Sequence, residues 1–396
     1  MTSLIDKCRQ VTADDLIFFF VALTFLFLPT GTAPPLIAIS IAGLVWIFSG
    51  RVLKTVAIVK EPWFWPVIPM ILLPWLGLLH SDNLGLGLDY ALKTKYWLAV
   101  LILASIQFSD RECRIAVTCL LFSLTLGAVM AIFQFYNLLP LGLRPYFGFG
   151  IVHTLIHTYL IIGILMVSFY FQKARAGWQR AGLLLMTVAF IFHLSVMNGR
   201  AGYLIFGLLS PLIAANFMHR FPVKVKAVLA VLMVCLLLLS PVVRQTVCSS
   251  YENLCQNKDK ILQGEYVAEF PRLFIIKEAF ESMKSHPIVG VGTSGLSEST
   301  RAKGHPVNHP HSTILHMGIC FGIPGLLTVA WIFITLFRRA FRERRTDTGF
   351  FLLSAASVLF LGGLFDTQVL NTGPLLLFAL SYGMLHHLPG KHKHRR

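Results

Sequence analysis

Apolar runs of membrane-crossing length recur along this chain from end to end, and that recurrence excludes most folds. A bilayer core about 30 Å thick takes roughly 20 residues of apolar helix. Helix is favoured there because each segment then satisfies its own peptide groups without water. The runs read as Leu16–Leu28, Pro35–Phe48, Trp63–Leu79, Tyr96–Phe108, Ile115–Phe135, Ile151–Phe171, Ala181–Met197, Ala201–Phe217, Val225–Val242, Ser312–Phe337, Gly349–Phe365 and Pro374–Leu388. The expected fold class is all-α: a polytopic integral membrane protein with about 12 transmembrane helices, one transmembrane domain over 1–396. A soluble core fails on composition. Only 13% of the 396 residues are charged, against about a quarter in soluble domains. The basic, then apolar, start also has the outline of a signal peptide, but no good small-residue cleavage site follows it.

The net charge of +16 invites a nucleic-acid reading, and its distribution argues against one. Lys and Arg stand in short clusters between apolar runs, with no folded polar domain on that side to present a basic patch. The termini and alternate loops carry 22 of them, the opposite short loops 4, and the long loop 8. Cytoplasmic loops hold the excess of Lys and Arg, whereas long loops cross regardless of charge. The comparison of 22 with 4 therefore decides: both termini are expected to be cytoplasmic. Lys93, Lys95, Arg144, Arg200 and a loop over 243–311, inserted between the ninth and tenth spans, then lie at the outer face. No assigned span has Asp, Glu, Lys or Arg near its middle. Ion-coupled transporters keep such costly groups there for function, so a lipid or solute transporter is disfavoured and the outer boundary is left for chemistry.

The long loop divides into parts. Residues 243–264 are polar and expected to be irregular. Tyr266–Lys284 reads as an amphipathic helix, with Leu273, Ile276, Phe280 and Met283 at helical spacing, suited to lying on the membrane surface. The following VGVGTSG lacks the Lys-Ser/Thr of a phosphate loop and reads as a Gly-rich turn. Cys248 and Cys255 share the loop, and in an oxidising compartment they form either a local disulfide or two free thiols.

The loop ends in HPVNHPHSTILHMGICFGIPG, residues 305–325, which sets a histidine cluster where polar chain enters an apolar helix. Pro310 favours a helix start, so His311 is expected in the first turn. There the positive end of the helix dipole disfavours imidazolium. A neutral imidazole suits a general base; an interfacial histidine satisfied by water is the plainer reading. His305, His309, His311 and His316 also raise metal binding, but no Cys donor in zinc spacing and no carboxylate accompanies 305–316. His153 and His157, at i and i+4, lack the Glu of a zinc protease and otherwise serve helix packing or headgroup contact. No metal and no cofactor is expected. Arg200, at a helix break, and Arg272, near a helix start, are costly beside lipid without an anion. Arg grips phosphate through bidentate, charge-assisted bonds, or else it snorkels to headgroups.

Here the chain resembles a family. His311-Ser312, nine residues, Gly322, two residues and Gly325 resemble the His-[Asn/Ser/Gln]-x9-Gly-x2-Gly signature of lipopolysaccharide O-antigen ligases. Asn198-Gly199-Arg200-Ala201-Gly202 is similar to the family's Ser-Arg-Gly/Ala segment, with Gly before the Arg. Arg272 resembles the Arg of an Arg-x3-Leu motif, with Ile276 in the Leu place. The resemblance implies glycosyl transfer at the periplasmic face of a Gram-negative inner membrane. It implies an undecaprenyl-diphosphate-linked glycan as donor and a sugar hydroxyl of lipid A-core as acceptor. His311 would activate the acceptor, and Arg200 and Arg272 would hold the donor diphosphate. Reaction would proceed with inversion and without ATP or metal. Lys93, Lys95 and Arg144 would steer headgroups, and Gly322 and Gly325 would permit close helix approach. O-antigen polymerases and protein O-oligosaccharyltransferases of the same superfamily share this logic and remain alternatives.

Overall fold

The computed structural model describes residues 11–139, 153–197, 199–263, 267, 271–296, 300 and 310–388. They are helical, without a strand among the described residues. The main helices are α1 (Ala13–Phe27), α2 (Ala33–Phe48), α3 (Val67–Leu76), α4 (Leu84–Leu92), α5 (Leu98–Ser105), α6 (Asp110–Phe135), α7 (His153–Lys173) and α8 (Gly177–Val196). They continue as α9 (Arg200–Phe217), α10 (Val223–Leu238), α11 (Pro241–Gln256), α12 (Lys258–Gln263), α13 (Pro271–Ser285), α14 (Thr313–Arg342), α15 (Asp347–Phe365) and α16 (Thr372–Met384).

Six of these are long and apolar enough to cross a membrane: α6, α7, α8, α9, α14 and α15. The number rises to eight if two pairs bent by 85°, α2 with Arg51–Ile58 and α10 with α11, each count as one span. An all-helical integral membrane protein is thus the architecture. The sequence-derived twelve includes apolar runs that fold as shorter pieces. α5 has 8 residues, and α3 has 10 and carries Pro74 inside it.

Local signals set the helix starts. Thr12 accepts from the Asp15 amide and Asp15 returns a bond to Thr12, a capping box ahead of α1. Ser109 and Glu112 repeat it before α6. α7 is the central post: Tyr159, Leu160, Ile161, Ile162, Ile164 and Leu165 are fully buried, and it packs on α6, α8, α9 and α15.

One end of the assembly is closed by ion pairs. Arg51 meets Asp14 at 2.7 Å. The Asp347 carboxylate, 1% exposed, takes Arg114 at 2.6 Å and also Lys173. Lys54 donates to the Ser105 carbonyl at 2.8 Å. These groups come from segments that the charge count assigned to a single side.

The loop region departs from expectation in two ways. Residues expected to be irregular form α11 and α12, and α11 turns sharply away from α10. The amphipathic helix exists as α13 but docks by a different face. Phe274, Ile275 and Ala279 are buried with Leu296 and Ile319, with Met283 packed at the edge. Leu273, Ile276 and Phe280 stay exposed. Burying a Phe or Ile stabilises by about 1.5–3 kcal/mol, so the face that finds a protein partner in α14 is the one that docks.

α14 is broken within the helix. Gly322 takes φ 60, ψ −144, and Pro324 follows inside the helix. Pro lacks an N–H, so the Cys320 carbonyl loses its helical donor, and the break also frees that of Ile319. The Gly-rich turn supplies replacements: the amides of Val291 and Gly292 donate to Ile319 and Cys320 at 2.9 and 3.1 Å. The Ile323 amide turns to the Pro287 carbonyl at 2.9 Å. The turn is held from the other side by Thr293, whose amide reaches the Gly77 carbonyl and whose hydroxyl reaches that of Pro74.

Candidate active site

His311 does not lie in the first turn of α14. Ser312 is the N-cap and accepts from the Leu315 amide, and the helix begins at Thr313. His311 precedes the cap with a left-handed backbone, φ 48, a conformation costing an L-residue about 1–2 kcal/mol. The residues after it are fastened down. Ser312 Oγ donates to the Gly363 carbonyl at 3.2 Å, Thr313 Oγ1 donates to the Asp366 carbonyl at 3.3 Å, and the Gln368 amide donates to Thr313 Oγ1 at 2.9 Å. The start of α14 is thereby stitched to the turn that ends α15.

That turn carries a residue the sequence reading passed over. Asp366 caps the end of α15. Its carboxylate accepts from the Thr367 amide at 2.8 Å and from Asn371 Nδ2 at 2.9 Å, and the residue is 9% exposed. Burial lowers the His311 pKa below the ordinary histidine value; Arg272 lowers it further, and Asp366 opposes the shift. The neutral imidazole expected from a helix dipole is thus favoured chiefly by burial and by an arginine. Arg272 is likewise pushed down, first by burial and also by Arg200, while Asp366 supports its charge. His311, Arg272, Arg200 and Asp366 therefore belong to one electrostatic cluster.

All three basic members sit at helix starts. Arg200 is the first residue of α9, Arg272 the second of α13, and His311 precedes the cap of α14. Helix N-termini present donor amides and partial positive charge. Placing Arg there adds like charge to like charge, an arrangement that an anion would relieve. The segment before α9 is shaped for close packing. His157, buried in α7, lies against it so tightly that a Cβ on Gly199 would stand 1.7 Å from the ring, and one on Gly202 2.5 Å. The Tyr203 hydroxyl donates to the Met197 carbonyl.

Residues 180–330 match the family model described as O-antigen ligase. Over that stretch the chain is similar to the O-antigen ligase family. The matched stretch runs from α8 into α14 and includes Arg200, Arg272, His311, Gly322 and Gly325, whereas His157 and Asp366 lie outside it. A comparison with curated proteins finds no match.

The remaining residues singled out in the sequence are scattered. Lys93 turns inward: Nζ donates to the Leu370 carbonyl at 2.6 Å, four residues beyond Asp366, and burial lowers its pKa. Lys95 is exposed, its Nζ 5.4 Å from the Tyr96 ring centroid. His153 begins α7. Arg144, His305 and His309 lie outside the described residues. His316 is buried beside Tyr90 and Cys320. Gly322 faces the backbone of Pro287 and Ile288, and Gly325 faces the Met317 carbonyl of its own helix. Both serve the break in α14; the close approach there is of loop and kinked helix. Among the described residues no group of three His, Cys, Asp or Glu side chains is placed to share a metal ion. Cys248 and Cys255 are free. Seven residues apart in α11, their Cα atoms are about 10 Å apart by helical rise, beyond the roughly 7 Å a disulfide spans.

Proposed function

We propose that the chain is an O-antigen ligase: a glycosyltransferase of the Gram-negative inner membrane, with its site facing the periplasm and both termini cytoplasmic. About twelve crossings, as the charge asymmetry and apolar runs suggest, would enclose it, with 243–311 as the periplasmic loop. The donor is a glycan on undecaprenyl diphosphate and the acceptor a sugar hydroxyl of lipid A-core. His311 takes the acceptor hydroxyl proton as that oxygen attacks the anomeric carbon. The bond from that carbon to the diphosphate oxygen breaks, and the diphosphate leaves as an anion held by Arg200 and Arg272. Direct displacement inverts the anomeric configuration. A diphosphate whose charge is offset by two arginines is already a competent leaving group, so neither ATP nor a metal is required. Asp366 orients the cluster and supports the charge on Arg272 and, after proton transfer, on His311.

What supports this reading is the electrostatic coupling of Arg272 with His311, Arg200 and Asp366, together with the place of His311, Arg272 and Arg200 in the stretch matched to the O-antigen ligase family. Transfer in vitro with purified lipid-linked donor and lipid A-core, with and without chelator, tests it. Capped acceptor formed equally in both conditions is the expected result. No capping, with donor extended by further repeat units, would make the chain a polymerase; glycan on a protein acceptor would make it a protein glycosyltransferase.

A further inference from the structure

The helix that leaves α10 carries an apolar stripe that is exposed among the described residues. α11 begins at Pro241, after a bend of 85° from α10. Its inward side is short: Val243 and Thr246 are buried, and Ser240, just before it, donates to the Ser195 carbonyl at the end of α8 at 2.8 Å. On another side Val247, Tyr251 and Leu254 are 49, 68 and 42% exposed, with Cys248 and Cys255 exposed between them. Positions 247, 248, 251, 254 and 255 share one face of a helix. Gln245, Ser249, Glu252 and Gln256 fall on a different exposed face, and Arg244 stands at the root of the stripe.

We propose that α11 lies in the plane of the membrane surface and that its occupant is the lipid leaflet itself, with Val247, Cys248, Tyr251, Leu254 and Cys255 dipping among the acyl chains. Two features commit the stripe to lipid. It continues the outward apolar surface of α10, where Val228, Val231, Leu232 and Leu236 are exposed, through Leu239 at the bend. A span standing across the bilayer and bent by 85° at its end sends the next helix along the interface, the geometry of an amphipathic surface helix. Arg244 at the stripe's root, with Lys258 and Lys260 in α12, supplies cations at the level of anionic headgroups. The surface role that the sequence suggested for Leu273, Ile276 and Phe280 belongs on these grounds to α11 as well. The junction with α8, two residues from Met197 and close in sequence to Arg200, makes α11 the element that fixes the height of the site relative to the leaflet. The proposal does not depend on glycosyl transfer.

The native cysteines allow a direct test in the full chain. With Cys8, Cys119 and Cys235 replaced by Ser and buried Cys113 and Cys320 retained, an environment-sensitive fluorophore is placed singly at Cys248, Cys255, Q245C or Q256C. The protein is reconstituted in vesicles of phosphatidylethanolamine with a minority of phosphatidylglycerol. The expected result is several-fold stronger quenching by doxyl-labelled lipid than by aqueous iodide at 248 and 255, and the reverse at 245 and 256. Equal iodide quenching at all four positions would overturn the proposal. Protection of 248 and 255 from both quenchers would also overturn it, by showing that protein covers the stripe. These positions make few protein contacts, so an unchanged thermal transition of each labelled variant verifies folding before the readout is taken.

Discussion

At the end of the helices bearing Arg51, Arg114 and Lys173, cations meet carboxylates directly: Arg51 with Asp14, and Arg114 and Lys173 with buried Asp347. A cavity of about 880 Å³ opens there, lined by charges of both signs including Asp14, Arg51, Glu61, Arg111, Glu112 and Arg339. At the His311 end, Arg272 is opposed by burial and by Arg200, and His311 by burial and by Arg272, while Asp366 favours both. The named cations of the first end are paired within the protein and behave as scaffold, whatever the size of the cavity beside them. The second holds like charges near one another in a partly desolvated place. An anionic ligand would offset that arrangement. The proposed chemistry is placed at the second end on this ground.

The comparison breaks most simply at His311. His311→Ala is expected to lower transfer by about 10²–10⁴-fold, the usual worth of a general base, with the thermal transition unchanged. Wild-type transfer by that variant would remove the base from the mechanism. Arg272→Gln comes next. Losing one charge-assisted contact of about 1.5–3 kcal/mol should weaken donor binding roughly 10–100-fold; a titration with lipid diphosphate reads this directly. Asp347→Asn tests the other end. It strips a buried partner from two half-exposed cations, and after discounting for their exposure the stability loss is about 1–3 kcal/mol. The Tm should fall, yet transfer below it should match wild type. A loss of transfer by folded Asp347→Asn would show that the two ends are not separable as scaffold and site.

Much of this was legible in the sequence because hydrophobic periodicity and helix-start chemistry are local. The long apolar helices α6, α7, α8, α9, α14 and α15 follow from runs that could be read directly, and one spacing motif and two helix boundaries point to His311, Arg200 and Arg272 as candidates. What stayed hidden depends on which segments meet. Asp366 is one carboxylate among Asp-Thr-Gln-Val-Leu-Asn-Thr at the foot of α15, and it acquires meaning only when Thr313 and Gln368 join that turn to the start of α14. A search for a carboxylate partner to His311 among the few acidic residues of the outer short segments could have found it. The backbone of His311 was misplaced because Pro310 and Ser312 are both helix-start signals, and the cap won. The polarity of residues 243–264 masks the stripe at 247, 251 and 254, which is exposed among the described residues and so leaves no packing pattern to read. Gly322 and Gly325 suggested helix contact, but the missing Pro324 amide makes them part of a break whose carbonyls a distant turn must satisfy.

The finest test of the cluster is its pH dependence, because the two neighbours of His311 move it in opposite directions. The proposed mechanism needs neutral imidazole, and the His311 pKa is held below its ordinary value, about 6.5. Activity should therefore be flat through neutral pH and fall only on acidification past that lowered pKa. The linked stability runs the same way: an imidazole that resists protonation in the fold contributes stability above the unfolded-state pKa, and that contribution is lost as pH falls through the folded one. Arg272→Gln removes a repulsion from imidazolium, so the pKa rises and the acidic limb of the residual activity should move to higher pH. Asp366→Asn removes an attraction, so the limb should move to lower pH, with a smaller change in the plateau than Arg272→Gln produces. A pH–rate profile of the two variants beside wild type separates this from a purely structural role for Asp366. Disruption of the α15 turn would lower the plateau and leave the limb in place, whereas opposite displacement of the two limbs requires that both charges act on the group that titrates.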